Sequence, residues 1–378
     1  MAQTLYFSRD SIVHLQPAGS SDVYQIPVLD GFSFSQATNA AEITLNEAAD
    51  SAGVSRRARE LFNDSYEPAS WSLQTYVRPF ATSGTGTGNH SDAVGNIHAV
   101  EEAFWDAFVS STVGGGLTST NSDLSIDFSN SNKTVVGIFD LYFELGSGKA
   151  NPTVYKIEGC VVEDITLDFD IDGIAMLSIS GLGSIIEDNS GASPAMPPAT
   201  IVEGTRGGDT SNYIRQKLTE LAITASDTAT YPGVSTNGVY NLVLTGGSIS
   251  FANNITFLTP ETLGVVNQPL GHVTGARSIG GSFTAYLDNE TGSTADLFED
   301  IINAKSDIKN SFDLTFSVGG SGAATRVDMN LPQAHLEVPQ HSIDDVIAVE
   351  VTFHGLPSTI SSTDEAAITY YGEIVTTS

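Results

Sequence analysis

Asp168-Phe169-Asp170-Ile171-Asp172-Gly173 copies the opening half of a calcium loop, where carboxylates at alternate positions wrap a hard cation. Such a loop also needs a bidentate glutamate at its twelfth position, and Ile179 stands there. With Phe169 and Ile171 on the core side of a strand, Asp168, Asp170 and Asp172 line the opposite face. Like charges on one strand face repel, so that face wants water, salt or a basic partner. A cation site and an acid/base carboxylate pair are the alternative readings. Ser83-Gly84-Thr85-Gly86-Thr87-Gly88-Asn89 invites a dinucleotide loop, but Asn89 takes the place of the third glycine and no βαβ pattern surrounds it. Gly146-Ser147-Gly148-Lys149 ends like a phosphate loop, yet Phe143 and Ala150 occupy the positions of the required glycine and hydroxyl. A flexible loop and a hairpin turn explain the two stretches better.

The seven histidines show neither H-E-x-x-H nor any His–acid pairing at ligand spacing, and no G-x-S-x-G elbow occurs. The single cysteine, Cys160, excludes an intramolecular disulfide and a cysteine-based zinc cage. It sits in a strand-like run and reads as a buried, inert thiol. These residues predict no enzyme, no metal and no cofactor. The one basic concentration is Arg56, Arg57 and Arg59, three of fifteen cationic residues within four positions. On so acidic a chain, such a projection fits an acidic patch on another copy; a solvated helix turn is the other reading.

The elements that must position these residues are mostly strands. Trp71, Leu73, Thr75 and Val77 alternate with polar residues, as do Ile165, Leu167, Phe169 and Ile171, the period of half-buried antiparallel strands. Helical period is clear at Val100–Phe108, where Val100, Phe104 and Phe108 share a stripe, and at Ala295–Ile302 with Thr294 as N-cap. Thr82–Asn96 and Ser110–Lys133 read as Gly/Ser/Thr-rich and Ser/Asn-rich loops.

The 378 residues suffice for about two domains. Five landmarks recur in one order. Val23-Tyr24, the Trp71 strand with Tyr76, the Val100 helix, Phe139-Asp140-Leu141-Tyr142-Phe143 and Gly181-Leu182-Gly183 answer to a second set. That set is Val239-Tyr240, the Phe283 strand with Tyr286, the Ala295 helix, Phe312-Asp313-Leu314-Thr315-Phe316 and Gly355-Leu356. The pattern predicts a mainly β chain of two tandem antiparallel barrel or sandwich modules, each with one flanking helix. The expected division is 1–190, a linker over 191–211 rich in Pro, Gly and Ser, and 212–378.

Acids outnumber bases 45 to 15, for a formal charge of −30. Attraction to phosphate backbones or anionic lipid is therefore excluded as the main business of the whole molecule. Only 16% of residues are charged and 40% are hydrophobic, so this is a folded chain rather than an acidic tail. The N-terminus has neither the basic nor the apolar region of a secretory signal, and no apolar run approaches the roughly 18 residues of a spanning helix. Synthesis and assembly in a reducing compartment are the expectation.

Ile26-Pro27-Val28-Leu29-Asp30-Gly31-Phe32-Ser33-Phe34-Ser35-Gln36 through Glu42-Ile43-Thr44-Leu45-Asn46-Glu47 resembles bacteriophage tail tube (major tail) proteins. The Phe62–Trp71 segment, with its Tyr76-Val77-Arg78-Pro79 strand end, and Gly246–Asn254 are similar too. The resemblance implies a structural virion protein whose β modules close into six-module rings, joined edge to edge, that stack into the conduit for DNA ejection. Most members carry one module per chain, so two modules imply trimeric, pseudo-sixfold rings, with hexameric rings as the alternative. It also implies tail terminator and tail-tip or baseplate partners, with or without a sheath. DNA passes without specific binding, and no membrane is involved. Asp168, Asp170 and Asp172, with Glu350 on the corresponding late strand of the second copy, are then the lumen-facing candidates, and Arg56, Arg57 and Arg59 the ring-stacking candidates. The rival reading is another β-rich virion component, such as a tail-end ring or capsid decoration protein.

Overall fold

The computed structural model describes residues 5–43, 60–78, 81–83, 99, 101–119, 123–128, 136–149, 151–191, 195–203, 214–225, 239–260, 262–263, 266–303, 311–323, 325–343 and 346–371. The first half runs β1 (Ser11–Pro17), β2 (Tyr24–Ile26), β3 (Ser33–Ser35), β4 (Thr38–Ile43), β5 (Glu60–Tyr66), β6 (Ala69–Tyr76) and β7 (Ala81–Ser83). It continues with α1 (Glu102–Val109), β8 (Leu117–Ser119), β9 (Asp123–Asp127), β10 (Phe139–Leu145), β11 (Thr153–Asp170), β12 (Met176–Gly183) and β13 (Ile185–Asp188). β14 (Ile201–Glu203) lies within the expected linker, and it packs on the first half by pairing with β7 and β2. The second half runs β15 (Glu220–Ala225), β16 (Val239–Asn241), β17 (Leu244–Ala252), β18 (Ile255–Leu258), β19 (Gly271–Thr274) and β20 (Ser278–Tyr286). Then come α2 (Thr294–Asn303), β21 (Phe312–Val318), β22 (Arg326–Leu336), β23 (Gln340–Ile343), β24 (Ile347–Gly355) and β25 (Ala367–Tyr371).

The two halves pair their strands alike. In the first, β2–β1–β10–β11 form one layer and β3–β6–β12–β11 the other, with β13 returning along β11. In the second, β16–β15–β21–β22 and β17–β20–β24–β22 repeat the order, and β25 returns along β22. Each half is a sandwich. β11 serves both of its layers because its first part pairs with β10 and β13, and its last part with β12.

The ladders fix the correspondence residue by residue. β6 meets β12 over eight rungs from Ala69–Gly183 to Tyr76–Met176, and β20 meets β24 over eight rungs from Ile279–Gly355 to Tyr286–Ala348. Gly355 therefore matches Gly183. On the third rung Trp71 faces Gly181, while Gly281 faces Phe353. A Cβ on Gly181 would come within 2.5 Å of the Trp71 ring, and one on Gly281 within 3.0 Å of the Phe353 ring. Each half fills the same space with one aromatic and one glycine, taken from opposite strands, as close packing requires.

The halves are joined directly. β11 pairs with β17 over seven rungs, from Asp164–Ala252 to Asp170–Gly246, so one sheet runs β3–β6–β12–β11–β17–β20–β24–β23. β9 of the first half also pairs with β25 of the second. β8 and β9 fall in the stretch expected to be loop; the alternation of Leu124, Ile126 and Phe128 is the signal that marks them, and all three are buried.

Helix α1 is buried on every side, including Glu102 and Asp106. Its outer flank is covered by the second half. Trp105 stands edge-on to Phe251 at 5.2 Å and donates from Nε1 to the Tyr370 hydroxyl at 2.8 Å. Asn253 donates to the carbonyls of Phe108 and Val162. Helix α2 keeps an amphipathic exposure, with Leu297 and Ile301 inward. Thr294 is its first residue, and its hydroxyl bonds the Tyr286 carbonyl instead of capping. Each helix receives a strand tyrosine: Tyr24 donates to Glu102, and Tyr240 to Asp300. Cys160 is fully buried, its thiol pushed up by desolvation.

Candidate functional site

The shared sheet has one face turned to the core and one turned outward. On the outward face β6 presents Ser70, Ser72 and Gln74, β12 presents Ser178 and Ser180, and β17 presents Ser248 and Ser250, because strict alternation sends Leu73, Ile179 and Ile249 inward. Hydroxyls bridge neighbouring strands there, as between Ser33 and Ser72 and between Ser35 and Ser70, each at 2.9 Å.

Asp168 and Asp170 are exposed on this face of β11. Glu350 is exposed on the same face of β24. The ladders set Asp170, Gly246, Thr284, Glu350 and Gln340 in one row across five strands. Asp168 belongs to the adjoining row with Tyr76, Met176, Ser248, Ser282 and Thr352. Three strand spacings, roughly 14 Å, separate Asp170 from Glu350. They are too far apart to share a cation and act as spread wall charge. β6, β12, β17, β20, β24 and residues 163–170 of β11 carry no lysine or arginine, so nothing basic on those strands neutralises that charge.

Two expectations change. β11 ends at Asp170; Ile171 is 49% exposed and Asp172 stands in the turn that follows, beyond the strand face. The turn is held by Gln216, whose amide donates to the Asp168 carbonyl. Glu350 lies on the counterpart of β12, where it matches Ser178. The strand that matches the Asp168 segment is β23, because Gln340 pairs with Glu350 as Thr166 pairs with Ser178.

A second feature projects from the sandwich. The β4–β5 hairpin follows β3, and the β18–β19 hairpin follows β17, at corresponding points of the repeat. They touch: Tyr66 N–H donates to the Asn267 carbonyl at 2.8 Å, and Asn267 N–H to that of Asp64 at 3.1 Å. Leu61, Phe62, Leu258 and Leu263 are exposed on them, Leu263 by 98%. Arg56, Arg57 and Arg59 belong to the connection between β4 and β5 and lie outside the described residues, as does most of Ser83–Asn89. Gly146-Ser147-Gly148-Lys149 forms the turn between β10 and β11, as its hairpin reading required.

A broad polar sheet face and projecting apolar arms are the features of a structural protein that works by assembling. The chain matches the phage tail tube protein family over residues 29–355 and belongs to it. The tail tube protein pb6 of Escherichia phage T5 is 29% identical over 356 residues, spanning 91% of this chain and 70% of that protein. This chain is accordingly a structural tail tube subunit, a component of the virion tail that self-assembles into a tube.

Proposed function

We propose that three copies close into a trimeric, pseudo-sixfold ring, with 1–190 and 212–378 as two tube modules joined through 191–211, and that rings stack into the channel for DNA ejection. The reading is carried by one observation: both halves contribute equivalent strands to a single sheet, so three chains offer six alike sectors. Closure would remove unpaired edge strands, which otherwise invite aggregation. The Ser/Thr face with Asp168, Asp170 and Glu350 forms the lumen wall, and Asp172 sits at its rim. Three chains bring about −90 formal charge per ring, enough to repel phosphate before counterions act.

The arm bearing Arg56, Arg57 and Arg59 makes the ring-to-ring contact, supported by the exposed Leu61 and Phe62 beside it. The tube meets a tail terminator at one end and a tip or baseplate at the other, with a sheath where the tail contracts, after synthesis in the host cytoplasm. End-on imaging of purified assemblies tests this. Three chains per ring with Asp168 and Asp170 on the bore support it; six chains per ring, single discs that never stack, or those carboxylates on the outer wall reject it.

A further inference from the structure

Among the described residues β3 pairs only with β6, and β23 only with β24, so the shared sheet ends in two open edges. The internal joint between β11 and β17 shows what such edges do when partnered. β3 corresponds to β17: Phe34 faces Trp71 as Ile249 faces Gly281, Ser33 matches Ser248, and Ser35 matches Ser250. β23 corresponds to the last part of β11: Gln340 matches Thr166, His341 matches Leu167, and Ile343 matches Phe169. The edges at the two ends of the sheet are therefore copies of the two edges already married at its centre.

We propose that β23 of one chain pairs antiparallel with β3 of a second copy in the register of the internal joint. Thr166–Ser250, Leu167–Ile249 and Phe169–Gly247 translate to Gln340 against Ser35 of the partner subunit, His341 against Phe34 of the partner subunit, and Ile343 against Phe32 of the partner subunit. The exposures fit this. Phe169 is 4% exposed beside its partner strand, whereas Ile343, its counterpart, is 78% exposed without one. Helix α2 braces the edge from behind, since Phe298 meets the His341 ring edge-on at 4.4 Å. The open edge is also short. Where β11 runs unbroken, Glu337, Val338 and Pro339 separate β22 from β23, and proline gives no N–H to a ladder. The chain-to-chain seam is thus the shorter of the ring's two joints, and a ring opens there before it opens at β11–β17.

This seam rests on the ring reading above, and the test separates the two. Gln340→Cys with Ser35→Cys is assembled and oxidised, and compared with Gln340→Cys with Ser33→Cys, which is two residues out of register; buried Cys160 does not compete. The expected result is a ladder of disulfide-linked dimers and trimers for the first pair, several times stronger than for the second. Equal mixtures of the two single variants should give cross-linked dimers. Well-formed rings or tubes that cross-link better out of register, or not at all, overturn the seam while leaving the ring reading intact. A chain that stays monomeric at every concentration overturns both.

Discussion

Replacing Phe251 with alanine removes the ring that welds the two halves. Phe251 is fully buried on β17 of the second half. Its neighbours are first-half aromatics: Trp105 at 5.2 Å, Phe128 at 5.9 Å and Phe108 at 6.4 Å between ring centroids. Emptying a packed phenylalanine site costs about 3–5 kcal/mol. Three aromatic contacts, each worth about 0.5–1.5 kcal/mol beyond buried area, place this site at the upper end of that range. Urea unfolding of the monomer, followed by far-UV circular dichroism and by tryptophan fluorescence, reads the loss; Trp105 reports the weld itself. The expected outcome is one coincident transition in the parent and a loss of about 4–5 kcal/mol in Phe251→Ala. A loss under about 1 kcal/mol would refute the weld. So would two separate parent transitions of which the substitution shifts only one.

Glu101, fully buried at the start of α1 between the Arg78 backbone and Tyr370, has its carboxyl pushed up to about 8 by desolvation, from an ordinary 4.5. The folded chain then holds a proton that the unfolded chain releases, so stability falls as pH rises from about 4.5 to about 8 and levels beyond. The full change is on the order of 5 kcal/mol. Glu101→Gln should flatten the dependence of melting temperature on pH across that window; parallel profiles for the two proteins would count against a neutral buried acid. Arg56→Glu with Arg57→Glu should shorten or abolish tubes while leaving the melting of the isolated chain unchanged, as read by negative-stain length distributions; undiminished tube yield would remove these residues from the stacking contact.

The strands were legible where one face is wet. Trp71–Val77 and Ile165–Phe169 alternate because a half-buried strand must, and Asp168 and Asp170 could be put on the outward face from their neighbours alone. The order of landmarks, Tyr76 and Tyr286 included, exposed the duplication. Alternation cannot say where a strand stops, however. Ile171 continues the period of Phe169, yet the chain turns there because β12 and Gln216 meet it, so Asp172 leaves the wall. Nor did the landmarks give the register: Gly355 answers to Gly183, not Gly181, and only the eight-rung ladders settle that.

By itself, then, the sequence determined a mainly β duplicated chain, its acidic balance, its inert cysteine and the sidedness of its strands. These follow from local period and composition, which each segment carries alone. Tertiary structure decided that α1 is buried all round, that β11 marries β17, and that Asp170 and Glu350 share a row. Those are contacts between segments as much as 265 residues apart, set by which edges and aromatic faces complement one another in space. No window of sequence contains both partners.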